Sequence, residues 1–185
     1  EGCAGRVGRR VVKAMSGDVN DTQQEILFLY APDVLKVRHD AREDGAPRFD
    51  GAIKMDLDVD AQAEDVHWSK PPLELAVTHT SGTDFRLIGV HAKSKAPHGA
   101  KTDAEVMRIS IANRRKQLAQ CIWLRRRVEA HLAAGDNLIV LGDFNDGPGL
   151  DEYEKLFGRS GVEIVLGEGE GEQLFDPHAR MALSQ

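Results

Sequence analysis

The run Asn137-Leu138-Ile139-Val140-Leu141-Gly142-Asp143-Phe144-Asn145-Asp146-Gly147-Pro148-Gly149 carries the fold signal of this chain. Its first half is apolar with no polar alternation, the pattern of a strand covered on both faces, and it is the best central-strand candidate in the sequence. Its second half is a Gly/Pro turn that holds three polar side chains. Side chains two apart on an extended chain share a face, so Asp143 and Asn145 should project together while Phe144 turns back into packing. A carboxylate there can orient or deprotonate water or bind a divalent cation. A neighbouring carboxamide can donate hydrogen bonds to a phosphoryl oxygen. Taken alone, Asp and Asn at such a junction are ordinary turn formers.

Upstream of this run lies the longest helical pattern, from Asp103 or Ala104 to Ala134, with Leu118, Cys121, Ile122, Val128 and Leu132 at helical spacings and Gly135 placed as its C-terminal stop. Arg114-Arg115-Lys116 and Arg125-Arg126-Arg127 encircle that helix without forming a stripe, which reads as a solvated surface in preference to a phosphate contact. Before the helix, Leu73 to Thr78 and Phe85 to Val90 are strand candidates joined by Ser81-Gly82-Thr83-Asp84, a hairpin by its turn chemistry. The second of these runs on into His91-Ala92-Lys93-Ser94-Lys95. If the strand stays regular, His91, Lys93 and Lys95 face one side, where a histidine can supply a proton or hydrogen bond to a phosphoryl oxygen and lysines add positive charge. A single histidine at a strand end is more often structural.

The remaining segments carry less chemistry. Residues 6 to 15 place Arg6, Arg9, Arg10 and Lys13 beside Val7, Val11 and Val12, an amphipathic pattern read as a helix with a solvated basic face. Glu25 to Tyr30 is a strand-length apolar run stopped by Ala31-Pro32-Asp33, and Leu35 to Arg38 can begin a second strand. Asp40 to Gly51 reads as a surface loop. Asp56, Asp58 and Asp60 have the spacing of calcium-loop ligands, but the sixth position is Ala61 and the twelfth is His67, so a wet strand face or loop is the better reading. A helix is expected from Leu150 to Phe157, and the Gly-Glu repeat of 167 to 172 reads as a flexible acidic loop.

The 185 residues suit a single domain, and a hydrophobic fraction of 41% supports a packed core. A net charge of -6 and only six Phe, two Tyr and two Trp argue against a protein that grips nucleic acid by bulk electrostatics or stacking. A nuclease with a small cationic cleft stays open. Cys3 and Cys121 form no metal or disulfide motif. No run approaches the roughly 18 apolar residues of a membrane span. The first residues, Glu1 to Gly5, lack an initiator Met and a signal pattern, so an interior cut or processed end is expected.

The strand ending Gly89-Val90-His91-Ala92-Lys93-Ser94, the long basic helix, and then Val140-Leu141-Gly142-Asp143-Phe144-Asn145-Asp146 resemble the endonuclease/exonuclease/phosphatase superfamily, whose fold is that of deoxyribonuclease I. Order and spacing agree across about residues 24 to 160, and Pro71-Pro72-Leu73 is also similar to that family's text. The resemblance implies an α+β fold, a four-layer sandwich of two mainly antiparallel sheets flanked by helices, with the site at one rim. It implies hydrolysis of a phosphodiester or phosphomonoester with Mg2+ or Mn2+. By motif matching, His91 would bind the scissile phosphate, Asp143 would orient the attacking water or contact the metal, and Asn145 would hydrogen-bond the phosphate. The substrate would be a phosphate ester, with nucleic acid among the candidates, and no membrane span is implied.

Two parts of the family pattern are not recognisable. The early strands with their Asn and metal-binding Glu should precede Gln24, and Glu1 lacks the apolar strand that such a Glu would follow. The contiguous Asp-His dyad expected beyond the GDFND string has only Asp176-Pro177-His178 as an approximation, and the intervening proline makes these loop residues. Residues 1–185 are therefore expected to be the central portion of one such domain, incomplete at both ends and of little or no activity by themselves. The alternative is a non-catalytic binding domain that keeps the sandwich and lacks the terminal catalytic groups.

Overall fold

The computed structural model describes residues 13–19, 25–56, 63–146, 155, 158–167 and 171–177. Along them run β1 (Lys13–Ser16), β2 (Leu27–Tyr30), β3 (Leu35–His39), β4 (Ile53–Asp56), β5 (Ala63–Val66), β6 (Leu73–His79), β7 (Asp84–His91), α1 (Asp103–Ala133), β8 (Leu138–Asp143) and α2 (Gly161–Leu166). The fold is mixed α+β with several sheets. Four strands form the main sheet in the order β3-β6-β7-β8, while β1-β2 and β4-β5 are separate pairs. The first three strands of the main sheet are antiparallel, and β8 joins parallel to β7. A parallel neighbour requires a crossover, which α1 supplies.

The β6-β7 hairpin turns at Ser81-Gly82, with Gly82 at φ 88° and its N–H donating to the His79 carbonyl at 2.9 Å. Alternation then sorts the side chains. Leu73, Leu75, Val77 and Leu87 face a cluster that includes Met15, Ile26, Phe28, Leu35 and Val37. Ile88, Val90 and Ala92 face the opposite way, into Trp123, Leu124 and Val128 of α1 together with Phe49, Ile53, Met55, Val66 and Trp68. The sheet thus lies between α1 on one face and the β1-β2 side of the chain on the other. Phe49, Trp68 and Trp123 pack ring to ring at 5.6 to 6.4 Å, and the Trp123 Nε1–H donates to the Pro47 carbonyl.

Helix α1 begins where the sequence places it. The Thr102 hydroxyl accepts from the Glu105 N–H, and the Glu105 carboxylate accepts from the Lys101 N–H. It ends at Gly135, whose φ of 72° suits a residue without a Cβ. Its arginines correct the expectation of an all-round solvated surface. Arg126 and Lys116 are exposed, but Arg114 and Arg127 are wholly buried. Arg127 is tolerated inside because its Nε lies 3.1 Å from Glu74 and its other nitrogens donate to the carbonyls of Asp44, Ala46 and Pro47. Arg125 reaches across to the carbonyls of Val165, Leu166 and Glu172 and closes the end of α2.

Two further expectations are corrected. Strand β8 is not covered on both faces: among the described residues it is the edge of the sheet, with Ile139 45% and Leu141 47% exposed. Leu138 and Val140 pack toward α1, while the β1-β2 side covers β6 and β7 and stops short of β8. The basic segment expected as a helix is a strand at 13–16, because Met15 and the apolar residues of β2 reward pairing over helical turns. The rest of that segment lies outside the described residues, as do Asp58, Asp60 and nearly all of the helix expected over 150–157. Helix α2 was not expected, although Ser160 and Glu163 form a reciprocal capping box that the text Ser-Gly-Val-Glu signals.

An ionic cluster lies by the start of β8. Burial pushes the Asp136 carboxyl up, but the His131 hydrogen bond at 2.8 Å and the guanidinium groups of Arg86 and Arg42 outweigh it and hold the group below the ordinary 3.8. The Arg42 guanidinium holds exposed Asp44 at about 2. Folded values below unfolded ones mean that both contributions are complete above 3.8 and fade as pH falls through the folded values. The urea midpoint is accordingly expected to fall between about pH 4 and about pH 2, with a shallower fall in Asp136→Asn. Denaturation curves across that range, with equal slopes for the two proteins as the contrary result, check this.

Candidate active site at the ends of β7 and β8

Parallel pairing of β7 with β8 makes His91 and Asp143 register partners at the last position of each strand. Both share the parity of Gly89 and Leu141, so they lie on the face opposite α1. Asp143 is exposed and His91 half-buried. The ladder continues one step past the strand end, where the Ala92 N–H donates to the Asp143 carbonyl at 2.9 Å. These two side chains, 52 positions apart in the chain, are the part of the expected site that the fold brings together.

Asn145 is present but differs from expectation. The strand ends at Asp143, and Asn145 turns at φ 50°, a conformation that asparagine accepts more readily than most residues. Its N–H donates to Asp143 Oδ1 at 2.8 Å, which fixes the carboxylate. Its Nδ2 donates to the Ala92 carbonyl at 3.0 Å, which ties the turn to the end of β7. Asn145 therefore holds the two strand ends together, and one of its amide protons is already engaged. Phe144 packs against the core as expected.

The row His91, Lys93, Lys95 does not form, because β7 stops at His91. The Lys93 N–H instead donates to Gln120 Oε1 at 2.8 Å, and Lys95 Nζ pairs with Asp146 at 3.3 Å. A different lysine reaches the site. Lys70, in the segment entering β6, places Nζ 2.9 Å from His91 Nδ1.

Helix α1 anchors the turn from behind. Gln117 donates Nε2 to the carbonyls of Phe144 and Asn145 at 2.7 and 2.9 Å. The wholly buried Asp146 carboxylate meets Arg114 and Lys95, each at 3.3 Å, and accepts from the Gly161 N–H. Gln120 spans from the Lys93 N–H to the His67 carbonyl. The sequence reading missed these anchors, although Arg114, Gln117 and Gln120 follow one another at three-residue steps, the spacing of a single helix face. Cys121 is buried beside Asp146, and burial followed by the nearby carboxylate pushes its thiol up to about 12, away from the thiolate form.

Glu1 and His178 lie outside the described residues, and Asp176 is half-buried in the segment 171–177. Among the described residues no group of three His, Cys, Asp or Glu side chains is arranged to hold a metal ion. No described helix is long and apolar enough to cross a membrane. Comparison of the chain with family models, with curated proteins and with solved structures finds no match.

Proposed function

We propose that this chain carries the phosphate-binding half of a metal-dependent phosphoesterase site of the endonuclease/exonuclease/phosphatase type. The observation that carries this reading is the pairing of His91 with Asp143 at adjacent strand ends, with Lys70 against the histidine and the Asn145 N–H on the carboxylate. The arrangement sets one donor and one acceptor side by side on an open rim. His91 gives a hydrogen bond to a non-bridging phosphoryl oxygen, where negative charge grows as the ester is attacked. Asp143, with one oxygen held by Asn145, uses the other to orient a water or draw its proton.

A hard cation would be held here by Asp143. Asp143 offers one exposed carboxylate, and Mg2+ or Mn2+ can bind through a single carboxylate when water and phosphate oxygens complete the shell. Such an ion supplies charge to the phosphoryl oxygens. The fold proposed for the whole domain is the four-layer sandwich. It is supported by exposed Ile139 and Leu141 of β8, which lie on the main-sheet face opposite α1 and suit the inner face of a sheet packed on a second sheet.

The test is hydrolysis of a panel of phosphodiesters and phosphomonoesters by the full-length gene product with Mg2+ or Mn2+. His91→Ala and Asp143→Ala are each expected to lower turnover by about 10²- to 10⁴-fold with the fold intact. Turnover unaffected by both substitutions would reject the site. Absence of hydrolysis across the panel would favour a non-catalytic binding domain.

A further inference from the structure

We propose that Lys70 is a positioning residue that locks His91 in the tautomer with its proton on Nε2, so that the histidine serves the site as a hydrogen-bond donor. The assignment follows from the chemistry of one contact. Lys70 Nζ lies 2.9 Å from His91 Nδ1. A lysine ammonium carries three donors and no acceptor, so the ring nitrogen facing it must be the acceptor. In a neutral imidazole the proton then resides on Nε2.

This inverts the more familiar arrangement, in which a carboxylate or carbonyl takes the Nδ1 proton and leaves Nε2 as a base. His91 held by Lys70 cannot take a proton from water through Nδ1, and its Nε2 presents N–H. The acceptor of the pair is then Asp143, which shares the strand-end register with it. The same lysine places positive charge beside the ring, at the Nδ1 side, which favours an anionic ligand at Nε2. A phosphate ester or a free phosphate anion is the ligand class that matches this donor-and-cation pair.

Lys70 is suited to a fixed role by its surroundings. It lies between Trp68, which is 1% exposed, and buried Pro71 and Pro72, whose rings limit the backbone on its C-terminal side. The segment is further tied to α1, since the His67 carbonyl accepts from Gln120.

The inference rests on the phosphoesterase reading for its purpose, but its test does not require turnover. Long-range proton–nitrogen NMR of the full-length protein, with 15N-labelled histidine and at about pH 8, above the ordinary histidine range, reports the tautomer. His91→Gln identifies the signal. The expected spectrum has a protonated Nε2 and an unprotonated Nδ1 displaced by its hydrogen bond. Lys70→Arg, also a pure donor, should keep this pattern. Lys70→Met should move Nδ1 to the position of a free unprotonated nitrogen, and Lys70→Glu should transfer the proton to Nδ1. A wild-type spectrum with Nδ1–H, or an Nδ1 signal unmoved by Lys70→Met, would overturn the proposal. Where hydrolysis is observed, Lys70→Met should lower kcat on the order of 10- to 100-fold, as losing the outer partner of a metal-bound histidine does, with recovery in Lys70→Arg. Without hydrolysis, the phosphoesterase reading fails while the spectra still decide the role of Lys70.

Discussion

Replacing Gly142 with alanine is expected to separate the strand ends that form the site. Gly142 sits at φ 145°, a region that side-chain-bearing residues rarely enter, and a Cβ built on it would overlap the backbone carbonyl of Val90. The obstacle is main chain, and Val90 is 3% exposed and packed into the α1 cluster, so β7 cannot retreat. The collision can be relieved only by moving β8 away, which takes Asp143 from its place opposite His91. Backbone strain of about 1–3 kcal/mol adds to ladder hydrogen bonds worth about 1 kcal/mol each, so a loss of about 3 kcal/mol or more is expected. Urea denaturation reads the loss directly. Gly135→Ala is the control: it also has a positive φ, but nothing lies within 4 Å of its added Cβ, and about 1–2 kcal/mol is expected. Equal stabilities for Gly142→Ala and the wild type would show that the strand ends are not so tightly joined.

Arg127→Met is expected to destabilise the protein by about 3–5 kcal/mol, because it strands a buried carboxylate. Glu74 is 2% exposed, and Arg127 is wholly buried with Nε at 3.1 Å from it. Burial is the largest influence on Arg127 and lowers its pKa, while the Glu74 charge opposes that shift. Once the guanidinium is removed, His131 Nε2 stays 3.9 Å from Glu74 Oε1, beyond hydrogen-bond reach. The loop carbonyls of Asp44, Ala46 and Pro47 lose their donors at the same time. Adding Glu74→Leu should recover the charge part of the loss and leave the loop part. A double variant no more stable than Arg127→Met alone, or a single variant within about 1 kcal/mol of wild type, would contradict this account.

Much of the element order was legible because it depends on local patterns. The β6-β7 hairpin follows from alternation around Ser81-Gly82, and α1 from a helical repeat that starts at Asp103 or Ala104 and is stopped by Gly135. The polar residues at the ends of β7 and β8 stood out because they follow apolar runs. The β4-β5 pair was less legible. Its strands are four residues each, and Lys54, Asp56, Glu64 and Asp65 dilute the apolar signal of Ile53, Met55 and Val66. The inward arginines of α1 were misread because charge in a sequence says nothing of the carbonyls and carboxylates that fold onto it. Arg114 and Arg127 are buried because Glu74 and residues 44, 46, 47, 146 and 159 arrive with acceptors.

By itself, the amino-acid sequence determined which residues could act and where strands and helix would carry them, since periodicity, caps and turns operate over a few neighbouring positions. Only the tertiary structure decided that β8 lies parallel to β7 with Asp143 opposite His91, and that β8 is an edge among the described strands. Strand partners are chosen by burial across the whole sheet, which no local pattern encodes. The same holds for the lysine that reaches His91: Lys93 and Lys95 are nearer in sequence, but the strand ends before them, and Lys70 arrives from 21 residues away because Trp68 and the two prolines fix its approach.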